Sequence, residues 1–153
     1  MLFAATLTVG LMAGVFAIYA NAIMPGLRST DDRTFVAAFQ AIDRAIINPL
    51  FLGTFFGALV FTGAAAALHL DRAGLPWIAA ALVLYLPTVV VTVAVHVPSN
   101  NVIKAAGDPA GLADLGAVRA SFDERRWVRW NLVRVALTML AFGSLVFALA
   151  RAC

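Results

Sequence analysis

Residues 121–140 read SFDERRWVRWNLVRVALTML, a charged approach that runs directly into a long apolar stretch. Asn131, Arg134 and Thr138 lie in that stretch at positions i, i+3 and i+7, so they share one face of a helix. An arginine about two turns into a membrane helix costs roughly 2.5 to 3.5 kcal/mol on insertion scales. We therefore expect Arg134 to face a protein interior, and this face to line the working cavity.

The composition indicates a membrane protein. Of the 153 residues, 63% are hydrophobic and 12% are charged, whereas soluble proteins are about 45–50% apolar and 25% charged. The mean hydropathy is +0.93. We predict an all-α integral membrane protein with a single membrane domain over residues 1–153, surrounded by a lipid bilayer. The basic residues lie beside apolar segments, so membrane topology explains the net charge of +3 and no nucleic acid partner is expected. The single cysteine, Cys153, provides neither a disulfide framework nor a cysteine metal motif.

Four apolar segments are long enough to span a bilayer, which takes about 20 residues. They cover about residues 1–24, 49–70, 77–97 and 127–150. Pro25-Gly26 is predicted to end the first span, and Val97-Pro98 to close the third. Residues 71–76 are too few for anything but a turn, so the second and third spans form an antiparallel hairpin.

The segment between the first two spans, about residues 30–47, has the pattern of an amphipathic helix at the membrane surface. Its apolar positions are Phe35, Phe39, Ile42 and Ile46, and its polar positions are Asp32, Arg33, Gln40 and Arg44. The run from Ser29 to Asp32 fits a capping box at its start. Asn48-Pro49 is predicted to end it, because the residue before a proline resists the helical conformation.

The connection between the third and fourth spans, about residues 102–120, is soluble in character and contains a helix start at Asp108-Pro109. Ser121 and Glu124 form a second capping box, which is predicted to begin the final helix. The predicted fold is thus a four-helix transmembrane bundle. An amphipathic interfacial helix lies between spans 1 and 2, and a short helical cytoplasmic loop lies between spans 3 and 4.

The basic residues predict the orientation. The first and third connections are flanked by Arg28, Arg33, Arg44, Lys104, Arg119, Arg125, Arg126 and Arg129. The opposite side has only Arg72 and Arg151. Because positive residues concentrate on the cytoplasmic side, we expect a multi-pass protein of the cell membrane with loops 1 and 3 in the cytoplasm and both termini outside.

Two pairs of glycines with GxxxG spacing lie in the spans, Gly10 with Gly14 and Gly53 with Gly57. Such pairs allow helices to approach closely. They indicate either packing within the bundle or association of copies of the chain into a homo-oligomer.

Polar residues recur near the predicted cytoplasmic ends of the helices. They are Tyr19, Asn21, Gln40, Asp43, Asn48, His96, Asn100, Asn101, Trp130, Asn131 and Arg134. So many polar groups at one depth of an apolar chain predict a pocket with an apolar upper part and a polar mouth. Simpler explanations stay open for single members: a helix cap for His96, a turn for the asparagines, and a position at the membrane interface for Arg134. Trp127 is interpreted as part of an aromatic belt.

Several chemistries have no support in the motifs. The sequence has no HExxH, no pair of Glu-x-x-His motifs, no cysteine pair and no glycine-rich phosphate loop. A multi-histidine metal site lacks ligands, and metal ligands are not expected. A haem held by His96 alone stays open.

The pattern resembles the DUF1772 family, also called anthrone oxygenase-like. The matching motifs are Phe39-Gln40 with Asn48-Pro49-Leu-Phe51, Val97-Pro98 with Asn100-Asn101, and Trp127 with Trp130-Asn131 and Arg134. The resemblance implies a small membrane enzyme that oxidises an anthrone to an anthraquinone with dioxygen, without metal or flavin. The expected partners are then O2 and a small, hydrophobic, aromatic substrate of the polyketide type, and no cofactor is expected.

Oxygenation without a cofactor requires a base, stabilisation of the substrate oxyanion and a dry pocket. We expect His96 to be the base and Asp43 to be the second candidate. Arg134, Asn131 and Asn100 are expected to stabilise the oxyanion, while Trp130 and Phe39 stack on the substrate. Gln40, Asn48, Asn101, Tyr19 and Asn21 complete the expected binding site. The alternative is a non-enzymatic membrane protein that binds a lipid, a quinone or a partner helix.

Overall fold

The computed structural model describes residues 1–70 and 73–152, and every regular element in these two ranges is helical. Four helical stretches are long and apolar enough to cross a membrane: Leu2–Arg28, Pro49–Ala67, Leu75–Ala105 and Leu115–Arg151. The prediction of an all-α, multi-pass membrane bundle is thus confirmed. Asp71 and Arg72 of the predicted turn, and Cys153, lie outside the described residues.

The first and third spans are longer than predicted. Helix α1 (Leu2–Arg28) continues through Pro25, and the prediction that Pro25-Gly26 ends it was wrong. A π-helical turn at Tyr19–Ile23 precedes the proline, with the Met24 N–H donating to the Tyr19 carbonyl. Because proline has no N–H and its ring crowds the preceding turn, a widened turn before it lets the helix continue.

The same device recurs in helix α4 (Leu75–Ala105), so the prediction that Val97-Pro98 closes this span was also wrong. A π-helical turn at Thr92–His96 lies directly before Val97-Pro98, and the Val97 N–H donates to the Thr92 carbonyl. Each π turn places one extra residue in its helix and rotates the side chains that follow.

Helix α2 (Asp32–Ile46) has the predicted amphipathic character, with Phe35, Phe39 and Asp43 on its buried face. Its N-cap is Asp31, whose carboxylate accepts from the Thr34 N–H at 3.0 Å. The predicted capping box at Ser29 was wrong, because the Ser29 hydroxyl donates backwards to the Gly26 carbonyl.

Donation by the Thr34 backbone N–H and then by the Thr34 hydroxyl lowers the pKa of the Asp31 carboxyl below its ordinary value. The helix ends as predicted before Asn48, and the Asn48 side chain caps α3 (Pro49–Ala67) by accepting from the Phe51 N–H.

The approach to the last span contains a break that the sequence did not reveal. Helix α5 (Leu115–Phe122) is followed by Asp123 with φ 51°, in the left-handed region, and then by helix α6 (Glu124–Ala152). The Asp123 side chain accepts from the Arg126 N–H and so caps α6. The predicted capping box of Ser121 with Glu124 was therefore wrong: the Ser121 hydroxyl donates back into α5, to the Ala117 carbonyl.

The helix start predicted at Asp108-Pro109 was also wrong. These residues form a turn in which the Asp108 carboxylate accepts from the Ala110 N–H. Helix α5 begins later because Asp114 caps it, its carboxylate accepting from the Ala117 N–H at 2.8 Å.

The four spans form one bundle in which α1 packs against α3 and α6, and α4 packs against α6 and α3. Of the glycine pairs, only Gly10 lies at a close approach, since an added Cβ would meet the Phe142 ring of α6 at 2.7 Å. Such an atom at Gly14 or Gly53 would meet nothing within 4 Å, and at Gly57 it would meet only Phe61 of the same helix. Close packing through both pairs was thus a wrong prediction, and oligomer formation stays a prediction.

Helices α2 and α5 cover one end of the bundle, which we call the α2 end. Arg119 of α5 donates to the Asp32 carboxylate at 3.0 Å and to the Thr30 carbonyl at 3.1 Å, and its guanidinium lies 4.2 Å from the Phe35 ring centre. Beneath this contact, Phe122 and Trp127 pack against α2. The amphipathic helix is therefore fixed across the ends of the spans.

Candidate functional site

A cavity of about 210 Å³ lies between α1, α3, α4 and α6, beneath α2. Aromatic and aliphatic side chains form most of its wall, and a few polar groups interrupt them. The polar or titratable residues that line it are Tyr19, Asp43, Thr92, His96, Asn100, Trp127 and Arg134. Both π turns contribute to this wall, Tyr19 from the first and Thr92 with His96 from the second. Both irregular turns of the spans therefore border the cavity.

Arg134 lies in the cavity wall and is only 5% exposed, so its predicted inward position is confirmed. Its Nη2 donates to Asn131 Oδ1 at 2.7 Å, and its Nη1 donates to Thr92 Oγ1 at 3.1 Å. The guanidinium carbon lies 4.2 Å from the Phe16 ring centre and 5.7 Å from that of Trp127. Aromatic faces and neutral oxygens therefore surround this cation.

No Asp or Glu among the described residues forms an ion pair with Arg134. Its Nε is buried and has no hydrogen-bond partner within the described chain. Buried charges are ordinarily paired, because desolvation of an isolated ion is costly. Cation–π contacts of about 0.5 to 2 kcal/mol offset only part of this cost. The site is consequently suited to an anionic group, or to a group that becomes anionic there.

His96 is 2% exposed and lines the same cavity. Its Nδ1 lies 3.4 Å from the Val91 carbonyl, a long contact, and its Nε2 is buried without a partner in residues 1–70 and 73–152. The ring meets Trp127 edge to face, with 4.8 Å between the ring centres. His96 therefore combines an unsatisfied ring nitrogen with a fixed ring plane.

A chain of polar contacts crosses the α2 end of the cavity. Lys104 Nζ lies 2.9 Å from Asp43 Oδ2, and Asn100 Nδ2 donates to Asp43 Oδ1 at 2.5 Å. Asn100 Oδ1 in turn accepts from Trp127 Nε1 at 2.8 Å. We call these four residues the Asp43 chain. Because the Asp43 carboxylate already binds a cation and an amide, it is poorly placed for the role of second base.

Two other predicted residues are buried, but their side chains donate to backbone carbonyls and do not face the cavity. Asn131 is fully buried and bridges two helices, since its Nδ2 donates to the Phe16 carbonyl at 3.0 Å while its Oδ1 accepts from Arg134. Gln40 is buried as well, and its amide donates to the carbonyls of Ile103 and Gly107. Both support the cavity from behind and neither lines it.

The remaining predicted residues are not in the cavity. Asn21, Asn48 and Asn101 are exposed, and Asn48 is occupied in capping α3. Trp130 is 39% exposed and does not line the cavity, whereas Phe39 does. Polar groups line the inner wall and the α2 end of the cavity, while its exposed lining residues are apolar. A polar mouth stays a prediction.

The sequence interpretation missed Trp127, Thr92, Phe16 and Lys104. Trp127 lies at i−4 from Asn131, near the middle of the face that Asn131 shares with Arg134 and Thr138. Trp130 lies at i−4 from Arg134, at the edge of the same face, so helical spacing alone does not separate the two tryptophans. Thr92 lies four residues from His96, but an extra residue in the π turn decides where both point. No spacing rule indicates Phe16 or Lys104, which meet their partners only through the packing of α1 on α6 and of α2 on α4.

Within residues 1–70 and 73–152, no three His, Cys, Asp or Glu side chains cluster closely enough to hold a metal ion.

A family model described as anthrone oxygenase matches residues 35–144. This range runs from α2 into α6 and contains Asp43, His96, Trp127 and Arg134, while α1 with Phe16 and Tyr19 precedes it. Searches against curated proteins and against solved structures find no match to the chain. Since the matched range covers more than half of the 153 residues, the chain belongs to the anthrone oxygenase family.

Proposed function

We propose that the protein is a membrane oxygenase that oxidises an anthrone-like polycyclic phenol with O2 and without a cofactor. One observation carries the proposal: the Arg134 guanidinium lies buried at an apolar cavity and no described carboxylate pairs with it. A neutral substrate that becomes an oxyanion in the cavity gives this charge a partner only during the reaction. Interactions that strengthen as charge develops are the ones that accelerate a reaction.

The lining of the cavity favours a flat aromatic substrate. Phe16, Phe39, Phe55 and Trp127 present aromatic rings to it, and aromatic rings prefer offset or edge-to-face contacts with one another. The aromatic walls and the Arg134 guanidinium together fit a molecule that is apolar over most of its surface and acidic at one oxygen.

The proposed reaction begins with the removal of one benzylic proton from the CH2 carbon of the anthrone. The electron pair moves into the ring system and leaves a phenolate oxygen, next to which we place Arg134. This anion gives one electron to O2, and the resulting superoxide and carbon radical combine to form a C–O bond. The peroxide takes up a proton and then loses water, which leaves the second carbonyl. One anthrone and one O2 thus give one anthraquinone and one water.

His96 is the proposed base, because its Nε2 is buried at the cavity and has no hydrogen-bond partner in the part of the chain that the structure describes. Histidine is the side chain most often used for such proton transfers. The same ring can return the proton to the peroxide. Thr92 and Asn131 orient Arg134 through its two Nη atoms, and the Asp43 chain keeps Asn100 and Trp127 in place.

We also propose that the α2 end lies in the cytoplasm and that both termini lie outside. Arg28, Arg33, Arg44, Lys104 and Arg119 lie on the elements that form this end, as the positive-inside rule requires. Cysteine labelling of exposed positions at each end, carried out on intact cells, tests this orientation.

The function is tested by oxygen uptake of the purified protein in liposomes supplied with anthrone. The proposal predicts that one O2 disappears for each anthraquinone formed, at a rate well above that of empty liposomes, which measure spontaneous oxidation. Binding of anthrone without faster O2 uptake would instead support the non-enzymatic alternative. A Soret band in the absorption spectrum of the active protein would indicate haem and would contradict the cofactor-free route.

A further inference from the structure

The cavity has an apolar rim between two of the spans. Leu52 and Phe56 of α3 lie four residues apart, as do Val93 and Val97 of α4. All four line the cavity, yet they are 39% to 60% exposed on the outer face of the bundle. We call these four residues the rim. Exposed apolar side chains within a membrane span contact lipid acyl chains, so the rim connects the cavity with the interior of the bilayer.

The opposite wall of the cavity has the reverse character. His96, Trp127 and Arg134 lie there, and each is at most 5% exposed. A molecule that passes the rim therefore moves from an apolar surface towards a buried cation. This order suits a ligand that is soluble in lipid and acidic at one end.

The route from water at the α2 end is closed by polar contacts. Lys104, Asp43 and Asn100 connect α2 to α4, and Asn100 continues to Trp127 of α6. Gln40 adds two hydrogen bonds from α2 to the carbonyls of Ile103 and Gly107. Opening a passage here requires these contacts to break together, whereas the gap between α3 and α4 is bordered by the four apolar side chains of the rim and, where α2 meets α3, by Ile47, which is 54% exposed.

We propose that the cleft between α3 and α4 is a lateral portal, through which a flat, apolar, weakly acidic aromatic molecule enters the Arg134 cavity from the bilayer. The identity of this molecule as a substrate rests on the proposed function. The route itself does not, since it depends only on the rim and on the closed α2 end.

Thiol labelling inside the cavity tests the route without any need for turnover. Thr92→Cys, in a chain that also carries Cys153→Ser, places a small thiol in the cavity wall, and Phe55→Cys provides a second position should the first variant fail to fold. The protein in liposomes is treated with N-(1-pyrenyl)maleimide, which dissolves in the bilayer, or with a charged methanethiosulfonate that stays in water. Each rate is divided by the rate for the same protein unfolded in detergent.

A lateral portal predicts that the pyrene reagent labels the folded protein faster than the charged reagent does. Val93→Trp or Phe56→Trp, which fill the rim, should slow pyrene labelling several-fold. Val90→Trp and Val60→Trp are the matched controls, because these residues are exposed on α4 and α3 but do not line the cavity, and they should leave the rate unchanged. Equal or faster labelling with the charged reagent would refute the portal. So would a pyrene labelling rate that the rim substitutions do not change, or the absence of pyrene labelling at both cysteine positions.

An activity measurement separates this inference from the proposed function. If the protein oxidises anthrone, Val93→Trp should raise KM about tenfold, which corresponds to about 1.4 kcal/mol, and should leave kcat near that of Val90→Trp. Rim-dependent labelling without any oxidation would support the portal and refute the enzyme. Oxidation of anthrone with a KM that Val93→Trp does not change would support the enzyme and refute the portal.

Discussion

Arg134 Nη2 donates to Asn131 Oδ1 at 2.7 Å, and Asn131 Nδ2 donates to the Phe16 carbonyl of the neighbouring span. The guanidinium is therefore held by a neutral amide that is itself fixed to α1. A carboxylate at position 131 would cancel the positive charge, whereas an asparagine orients the charge and leaves it available. This relationship explains why the cavity presents a fixed cation to whatever enters it.

The first prediction concerns the support of that cation. Asn131→Leu has nearly the same volume but removes both the bond to Phe16 and the acceptor for Arg134. We expect anthrone turnover to fall by about 100-fold, because small displacements of a positioning group have effects of this size. The free energy of unfolding should fall as well, by about 1 to 3 kcal/mol, because a hydrogen bond to a buried charged group is lost. Turnover is therefore measured below the unfolding temperature.

The control for this prediction is Ser144→Leu, at a partly exposed position of the same helix that does not line the cavity. Turnover by Asn131→Leu equal to that of the control would show that Asn131 does not position Arg134 for the reaction.

The second prediction concerns the base. His96→Ala should lower kcat by about 10² to 10⁴, the range usual for loss of a general base. Added imidazole should restore part of the rate, because it can occupy the space of the missing ring. His69→Ala serves as the control, since His69 binds the Ala65 carbonyl near the opposite end of α3. Full turnover by His96→Ala without imidazole would remove His96 from the mechanism.

The third prediction concerns Asp43, which was the second candidate base. Asp43→Asn removes the charge that Lys104 faces and weakens the contact with Asn100. We expect a loss of about 1 to 3 kcal/mol in the free energy of unfolding, as for other hydrogen bonds to charged groups. Turnover measured below the unfolding temperature should stay within several-fold of the wild type.

Asp108→Asn, in an exposed turn, is the control for the stability measurement in detergent micelles. Loss of turnover comparable to that of His96→Ala, in a folded Asp43→Asn protein, would return Asp43 to the role of base.

The fourth prediction concerns pH at the start of α2. The pKa of Asp31 is lowered because the Thr34 N–H and hydroxyl bind its charged form. The cap therefore contributes its full stabilisation above the ordinary Asp pKa of about 3.9, and the contribution is lost as the pH falls through the lower folded value. The amide resonance of Thr34 should titrate with a midpoint below 3.9, and Asp31→Asn should abolish the titration. A midpoint at or above the ordinary value would contradict the cap.

The spans were predictable because each is a run of apolar residues whose burial in lipid outweighs local preferences. The amphipathic α2 was predictable from its 3.6-residue period, and Asn48-Pro49 marked its end correctly. The errors at Pro25 and Pro98 have one cause: a π turn before each proline lets the helix continue, and no sequence rule used for the prediction anticipates such a turn. At Asp123 a single residue in the left-handed region divides α5 from α6, although the pattern around it is helical throughout.

The sequence predicted at which level of the bundle the candidate site lies, but only some of the residues that form it. An arginine inside an apolar helix has few stable positions, so Arg134 was expected to face inward and does. Both tryptophans neighbour the face of Asn131 and Arg134, Trp130 through Arg134 and Trp127 through Asn131, so spacing did not decide which of them lines the cavity. The pairing of Asp43 with Lys104 and Asn100 depends on how α2 lies across α4, which the period of either helix alone does not determine.

The most direct measurement is the absorption spectrum of anthrone bound to the protein in the absence of O2. If Arg134 stabilises the oxyanion, the wild type at neutral pH should show the band of the anthrone anion. Arg134→Gln should show the spectrum of the neutral molecule, and Arg129→Gln, at an exposed position of α6, should match the wild type. A neutral spectrum in the wild type, or an anion band of equal strength in Arg134→Gln, would contradict the account.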